Sequence, residues 1–385
     1  MKILQVMAGA PQGGAETAFE DMCLALESAK DTLGLTQKIV VRGNNPDRVA
    51  RLRAAGIEVF TLPFGGPIDL YTPWAMKQMI ARYRPQIVQT WMARAAAKTP
   101  ADKIPGSSAP KSYLKVSRLG GYYNLKYFKT SDYFITITPD IAQYLENNGQ
   151  NNGIEREKIR HINNFAESND GEGILQNTPE ITRAEFRAQL QTPPYAPVIV
   201  ALSRYHRVKG LDVLIRAIVD IPAVHLWLAG EGQERKNLED LAAALNVKNR
   251  THFLGWRNDR AALLGAADIC AFPSRYEPFG TTFVQAWAHK TPLITSNAQG
   301  PKQYVRDHED GLMFEVDNIE QLNRAINELI GDEDLRQRLV AAGFNRYRQE
   351  FSRDEIVKQY INFYREILAK NNIAETDTLS GTYHV

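Results

Sequence analysis

Apolar residues along this chain follow two spacings. Short β-prone runs recur at 2–7, 38–41, 58–62, 87–89, 113–116 and 133–136, and again at 198–202, 226–229, 269–272 and 292–295. Such runs fit strands buried on both faces. Between them the apolar positions recur every third or fourth residue. Ala15, Phe19, Cys23 and Leu26 share one face after Gly14, and helices are predicted over 46–55, 72–84 (stopped by Pro85), 139–147, 183–190, 211–218, 318–329 and 351–368. Strands alternating with helices predict an α/β fold of doubly wound parallel sheets with right-handed crossovers.

Polar residues crowd together over 163–197, and 163–170 reads as a linker between two domains. The segments 147–153 and 168–178 read as exposed loops, and the tail from Asn371 as disordered. Asp332-Glu333-Asp334 precedes a helical stretch with Arg336 and Arg338; it reads as an N-terminal cap rather than a metal site. A length of 385 residues suits two domains. The formal net charge of +2 gives no ground for nucleic-acid binding, and the two cysteines, Cys23 and Cys270, read as packing residues in a reducing compartment. No apolar run approaches membrane-spanning length, and the chain enters a strand at once at Lys2, so no signal peptide is expected. A cytoplasmic protein is expected, soluble or at the inner face of the cytoplasmic membrane.

Candidate chemistry gathers where strands give way to helices. In open α/β sheets ligands bind at the carboxyl ends of strands. The stretch 267–300 reads as strand, loop, helix, strand, with Glu277 in the loop and the amides of Gly280, Thr281 and Thr282 at the helix start, an anion-binding arrangement. Arg204 and Lys209 lie between the strand 198–202 and the helix 211–218, where a point charge and a planar fork can converge on one diphosphate; His206 between them reads as a loop residue. Gly13-Gly14 follows the first strand as a phosphate-approach loop or simply a tight turn, and it is not the G-x-G-x-x-G of a dinucleotide site.

The sequence PSRYEPFGTTFVQAWAHKTPLI, 273–294, resembles the signature of the retaining glycosyltransferases of family 4. The resemblance extends to Arg204…Lys209-Gly210, to Ala229-Gly230-Glu231-Gly232, to the segment 252–257 and to Gly300-Pro301. It implies the GT-B architecture, two facing Rossmann-like domains with a central cleft. Residues 1–165 would form the acceptor-side domain and 166–350 the nucleotide-sugar domain. The helix 351–370 would cross back to the first domain, and 371–385 would be a tail. The resemblance implies donor contacts from Gly13, Gly14, Arg204, Lys209, Gly230, Trp256, Arg257, Glu277, Phe279, Gly280, Thr281, Thr282 and Gln285. Glu277, Arg204 and Lys209 would be catalytic, with Glu277 orienting the sugar and the cations carrying the leaving diphosphate. No metal is expected, and the nucleotide sugar is substrate rather than cofactor. The chain departs from the family in having Gln285 and Gln303 where Glu is usual. It also has Arg-Leu-Gly-Gly-Tyr-Tyr, 118–123, where many members have a His. Those departures favour an alternative, a degenerate scaffold that binds nucleotide or glycan without turnover; the presence of Glu277, Arg204 and Lys209 opposes it.

The acceptor side is marked by charge. Residues 94–129 hold Arg94, Lys98, Lys103, Lys111, Lys115, Arg118, Lys126 and Lys129 against Asp102 alone, interleaved with Tyr113, Tyr122, Tyr123, Tyr127 and Phe128. Arg94, Lys98, Arg118, Tyr122 and Lys126 are the candidates for meeting an anionic membrane or a glycan or lipid-linked acceptor. The other reading is a solvated basic face over core aromatics. No RNA-binding motif accompanies them, so no nucleic-acid partner is expected.

Overall fold

The computed structural model describes residues 1–11, 13–66, 68–102, 111–167 and 182–374. The chain forms two units, Met1–Asn164 together with the residues from Arg353 on, and Phe165–Ser352.

In the first unit seven strands pair in the order β3-β2-β1-β4-β5-β6-β7, every pair parallel. They are β1 (Lys2–Met7), β2 (Thr36–Arg42), β3 (Glu58–Leu62), β4 (Ile87–Trp91), β5 (Leu114–Leu119), β6 (Tyr133–Thr136) and β7 (Ile159–His161). Strand β7, only three residues long, is an addition to the six strands expected. So is the helix Met92–Lys98, which starts directly after β4 with Met92 in the left-handed region at φ 69°. The helix Pro139–Gly149 runs on into a 3-10 turn, Gln150–Asn152, where a loop was expected. Cys23 is buried and free.

The interior of this unit is partly polar. Trp91 Nε1 donates to Gln5 Oε1 at 2.8 Å, and Tyr364 Oη to Gln89 Oε1 at 2.9 Å. Arg118 is buried in β5, where it donates to Asn164 and, at 3.1 Å, to Tyr360 Oη, with its guanidinium 4.2 Å from the Trp91 ring. The long helix Arg353–Lys370 supplies Tyr360 and Tyr364 and so belongs to this core. The following residues are ordered as far as Ala374, contrary to the expected tail: Asn371 Nδ2 donates to Tyr133 Oη at 2.8 Å, and Ala374 O accepts from Gln86 at 2.9 Å. The rest of the expected tail, the loop expected over 168–178, and Lys103 lie outside the described residues.

In the second unit six strands pair in the order β10-β9-β8-β11-β12-β13, again all parallel. They are β8 (Val198–Leu202), β9 (His225–Ala229), β10 (Thr251–Gly255), β11 (Ile269–Phe272), β12 (Leu293–Ser296) and β13 (Leu312–Phe314). Each sheet therefore runs outward in both directions from its first strand, the order of a Rossmann-like fold. The point where the order reverses lies between β8 and β11, which are hydrogen-bonded neighbours. Ile199, Ala201, Leu226, Leu228, Ile269 and Ala271 on these strands share one buried cluster with the helices packed over them. Cys270 is buried and free. Asp332 caps the helix Glu333–Arg346 by accepting from Leu335 N, as expected.

Candidate active site

The switch point of the second sheet brings together two loops. After β8, His206 caps a 3-10 turn, Arg207–Lys209, by accepting from Val208 N, and Gly210 turns the chain in the left-handed region at φ 63°. A Cβ on Gly210 would overlap the carbonyl oxygen of Pro273, so the loop after β11 lies directly against it. Gly280, at φ 96°, likewise turns where a Cβ would meet the Phe272 ring, so both positions need glycine for the turn and for the close contact. The helix Thr281–Ala288 starts there. Its first N–H groups have no intrahelical partner and point a partial positive charge out of the sheet.

Arg275 locks the two loops to each other. Its backbone N donates to Val208 O at 2.7 Å, Nη1 to Arg207 O at 2.6 Å, and Nη1 and Nη2 grip Asp212 at 2.8 and 2.7 Å. Its Nε donates to Asp317 Oδ1 at 2.6 Å. Burial pushes the Asp212 carboxyl up, but its bonds to Arg275 outweigh this and hold it below the ordinary value. On the far side Gly300 N donates to Glu277 O at 2.8 Å. Glu277 is thus fixed from both sides, and its carboxylate contacts the Lys209 ammonium; the two side chains are only 16% and 14% exposed. Arg204 is exposed, and its side chain has no hydrogen bond or ion pair with any described residue.

The neighbouring loops extend this row. Gly230 follows β9, and a Cβ there would overlap the carbonyl of Ser203, so its bareness is explained by the packing of the β8 loop. Its N–H donates to Gly255 O at 2.8 Å, which ties in the loop after β10. Trp256 in that loop is 41% exposed and free to offer a ring face. Arg257 is engaged by Asp259, which leaves its backbone for any ligand. Gln285 is half-buried one turn into the helix, with no side-chain partner among the described residues. The Phe279 ring is buried among Phe283, Tyr304 and Phe351, so its side chain holds the loop and only its backbone is left for a donor. Sequence reasoning passed over Arg275; its place two residues before Glu277 in a loop that needed anchoring was the available signal.

The first-unit candidates fare differently. Gly13 stands before the helix Gly14–Ser28 at the carboxyl end of β1, and a Cβ on it would overlap the Glu16 carboxylate, as would one on Gly9. Glu16 is buried and accepts from Ala10 N at 2.7 Å, so the Gly13-Gly14 turn is shaped by an internal carboxylate. Arg118 is the clearest correction on the acceptor side, because its buried, three-way contact leaves nothing for a membrane. Lys98 donates to the carbonyls of Gly66 and Asp69 at 2.9 and 2.8 Å. Tyr122 packs edge-on against Tyr144, while Arg94 and Lys126 are exposed. Among the described residues no three His, Cys, Asp or Glu side chains gather to hold a metal ion, and no helix is long and apolar enough to cross a membrane.

Two doubly wound parallel units, the second with Lys209 and a helix N-terminus beside the Glu277 carboxylate at its switch point, have the α/β GT-B fold of glycosyltransferases. A glycosyltransferase from Rickettsia africae superposes with a TM-score of 0.79 at 22% identity, covering 95% of this chain and 98% of that one. Anabaena Alr3699/HepE, solved in complex with UDP and glucose, gives 0.76 at 20% identity, covering 95% of this chain and 100% of that one. The model of the glycosyl transferases group 1 matches residues 182–346. The lipopolysaccharide core biosynthesis glycosyltransferase LpsE of Rhizobium meliloti is 32% identical over 91% of this chain and 95% of its own length. The chain belongs to the group 1 glycosyl transferases.

Proposed function

We propose that this glycosyltransferase moves a sugar from a nucleoside diphosphate to a hydroxyl of a glycan or lipid-linked acceptor, with retention and without a metal ion, in lipopolysaccharide or related surface-glycan synthesis. The observation that carries the reading is the contact of Lys209 with Glu277, beside the start of the helix Thr281–Ala288, with Arg204 left unpaired in the same loop as Lys209. Breaking the anomeric bond puts negative charge on the departing diphosphate. Preorganised cations and amide dipoles aimed at that charge are the largest source of rate in such a site. Arg204, Lys209 and the amides of Gly280 to Thr282 supply it. Glu277, fixed on both sides, accepts hydrogen bonds from hydroxyls of the transferred sugar and holds the ring for attack from the face the diphosphate leaves. The UDP and glucose in the Anabaena neighbour and the role named for the Rhizobium relative support the donor and acceptor classes. A cytoplasmic location, at the inner face of the membrane where lipid-linked acceptors are built, follows from that acceptor.

The test is a panel of nucleotide sugars offered to the purified protein with chelator present. Binding of one donor with slow, chelator-resistant hydrolysis that Glu277→Ala abolishes is the expected result. Hydrolysis that disappears with chelator removes the metal-free reading. Binding without hydrolysis favours a scaffold that does not turn over, and no binding by any donor overturns the site.

A further inference from the structure

We propose that the turn after β3 and the start of the following helix, residues 68–74, form an anchor that inserts into the interface of an anionic lipid bilayer. Exposed large apolar side chains are scattered singly over most proteins and need no explanation. Here four fall within seven residues: Ile68 at 92% exposure, Leu70 at 80%, Tyr71 at 57% and Trp74 at 58%. The Tyr71 and Trp74 rings lie against each other with centroids 5.9 Å apart.

The exposure is built into the turn. Asp69 accepts from Gly65 N at 2.7 Å, Thr72 N at 2.9 Å and Thr72 Oγ1 at 2.6 Å, and Phe64 N donates to Thr72 Oγ1 at 3.2 Å. Lys98 closes the turn from the neighbouring helix through the carbonyls of Gly66 and Asp69. With Asp69 and Thr72 drawn inward by these bonds, Ile68, Leu70 and Tyr71 on either side of them are held out in water.

The chemistry around the patch selects its occupant. Trp and Tyr are the residues that favour the headgroup level of a bilayer, where a ring has one apolar and one wet side. Basic residues flank them. Lys77 is exposed one helical turn after Trp74, and Arg94 is exposed one turn before Lys98. Apolar anchors flanked by cations are the pattern of a surface-bound, non-spanning contact with anionic lipid. A second copy of this chain fits less well. A stable protein interface takes roughly 20–30 residues from each side, whereas this patch offers four exposed apolar side chains within seven residues. The anchor reading stands apart from the proposed reaction, because binding is read without donor or acceptor.

The experiment is co-sedimentation of the full chain with vesicles of phosphatidylcholine alone or mixed with phosphatidylglycerol. Binding to the anionic vesicles and little to the neutral ones is expected. Trp74→Ala and Leu70→Ser should each lower the partition coefficient roughly tenfold, the scale set by losing one buried apolar side chain. Tyr195→Ala, at a site 96% exposed in the other unit, should leave it unchanged. Lys77→Glu with Arg94→Glu should lower binding to anionic vesicles only. Absence of binding to either vesicle, or binding indifferent to Trp74 and Leu70, overturns the proposal. Concentration-dependent dimerisation abolished by Trp74→Ala also overturns it, in favour of a second copy.

Discussion

Replacing Glu277 with glutamine should pull binding and turnover in opposite directions. The Glu277 carboxylate holds the Lys209 ammonium, and both side chains are more than four-fifths buried. A diphosphate arriving beside Lys209 must share that ammonium with Glu277 and meet the negative charge of the carboxylate. A hydrogen bond involving a charged group contributes about 1.5–3 kcal/mol. Releasing Lys209 should therefore tighten binding of a nucleoside diphosphate without sugar by about tenfold to a hundredfold, at about 1.4 kcal/mol per factor of ten. The bare diphosphate isolates this effect, since it has no sugar hydroxyls for Glu277 to orient. With the complete donor the tighter phosphate contact and the lost sugar contacts offset each other, while transfer and hydrolysis fall by about a hundredfold or more as ring orientation is lost. Titration calorimetry of the diphosphate into both proteins at one ionic strength, alongside donor hydrolysis, reads both effects. Unchanged or weaker diphosphate binding in the glutamine variant would refute the shared-ammonium account even if activity were lost.

Three further outcomes follow from the geometry. Arg275→Ala should lower stability by about 1–2 kcal/mol, discounted for the partial exposure of Asp212 and Asp317, and should cost kcat more than KM because the loops of Lys209 and Glu277 lose their tie; Arg275→Lys should recover little, since one ammonium cannot span Asp212, Asp317 and Arg207 O. Gln285→Glu should lower the donor dissociation constant roughly tenfold if this side chain meets the ribose, the difference between a charged and a neutral hydrogen bond, and an unchanged constant would place it away from the nucleotide. His225 Nδ1 and His252 Nε2 lie 3.1 Å apart with rings stacked, and burial lowers both groups, helped by Arg250 at His225 and by His225 at His252. A histidine lowered on folding contributes stability that is complete above the ordinary value of about 6.5 and lost as pH falls through the folded value. The melting temperature should therefore fall below pH 6.5, and His252→Gln should flatten that slope; an unchanged slope would show that the pair does not titrate with folding.

Strands buried on both faces were legible because nothing interrupts their apolar runs, so β8, β11 and the loops that leave them could be placed from residue pattern. Strand β7 has three residues, none of them fully buried, and no such run to read. The helix Met92–Lys98 begins without a breaker, since Met92 makes the turn itself in a conformation that side chains seldom adopt. The basic stretch misled for a different reason. Its charges were counted along the chain, but Lys115 and Arg118 fall in β5, which is buried at all six positions. A central parallel strand has no solvent face, so any charge within it must find partners inside. Applied to 114–119, that rule would have moved Arg118 from the acceptor surface to the core.

What separates working cations from supporting ones in this chain is how many of their donors are already used. Lys115 gives its three protons to Ala96 O, Thr99 O and Thr130 Oγ1, each at 2.7 Å; burial pulls its ammonium down to about 7, yet three acceptors are the full complement for its charged form. Arg250 spends its guanidinium on the carbonyls of Ile218, Val219, Ile221 and Val224, and Arg187 on those of Pro194, Ala196 and Ala266 together with Asp268. Turning any of these cations toward an anion would take donors from the carbonyls they now satisfy, and each carbonyl left buried and unpaired costs about 1–3 kcal/mol. Lys209 holds one carboxylate, and Arg204 holds nothing among the described residues. In the proposed reaction an incoming diphosphate would gain bonds at Arg204 and Lys209 without taking either side chain from a backbone carbonyl. That difference, rather than the local density of charge, is what favours the loop after β8 as the anion site of the proposed reaction.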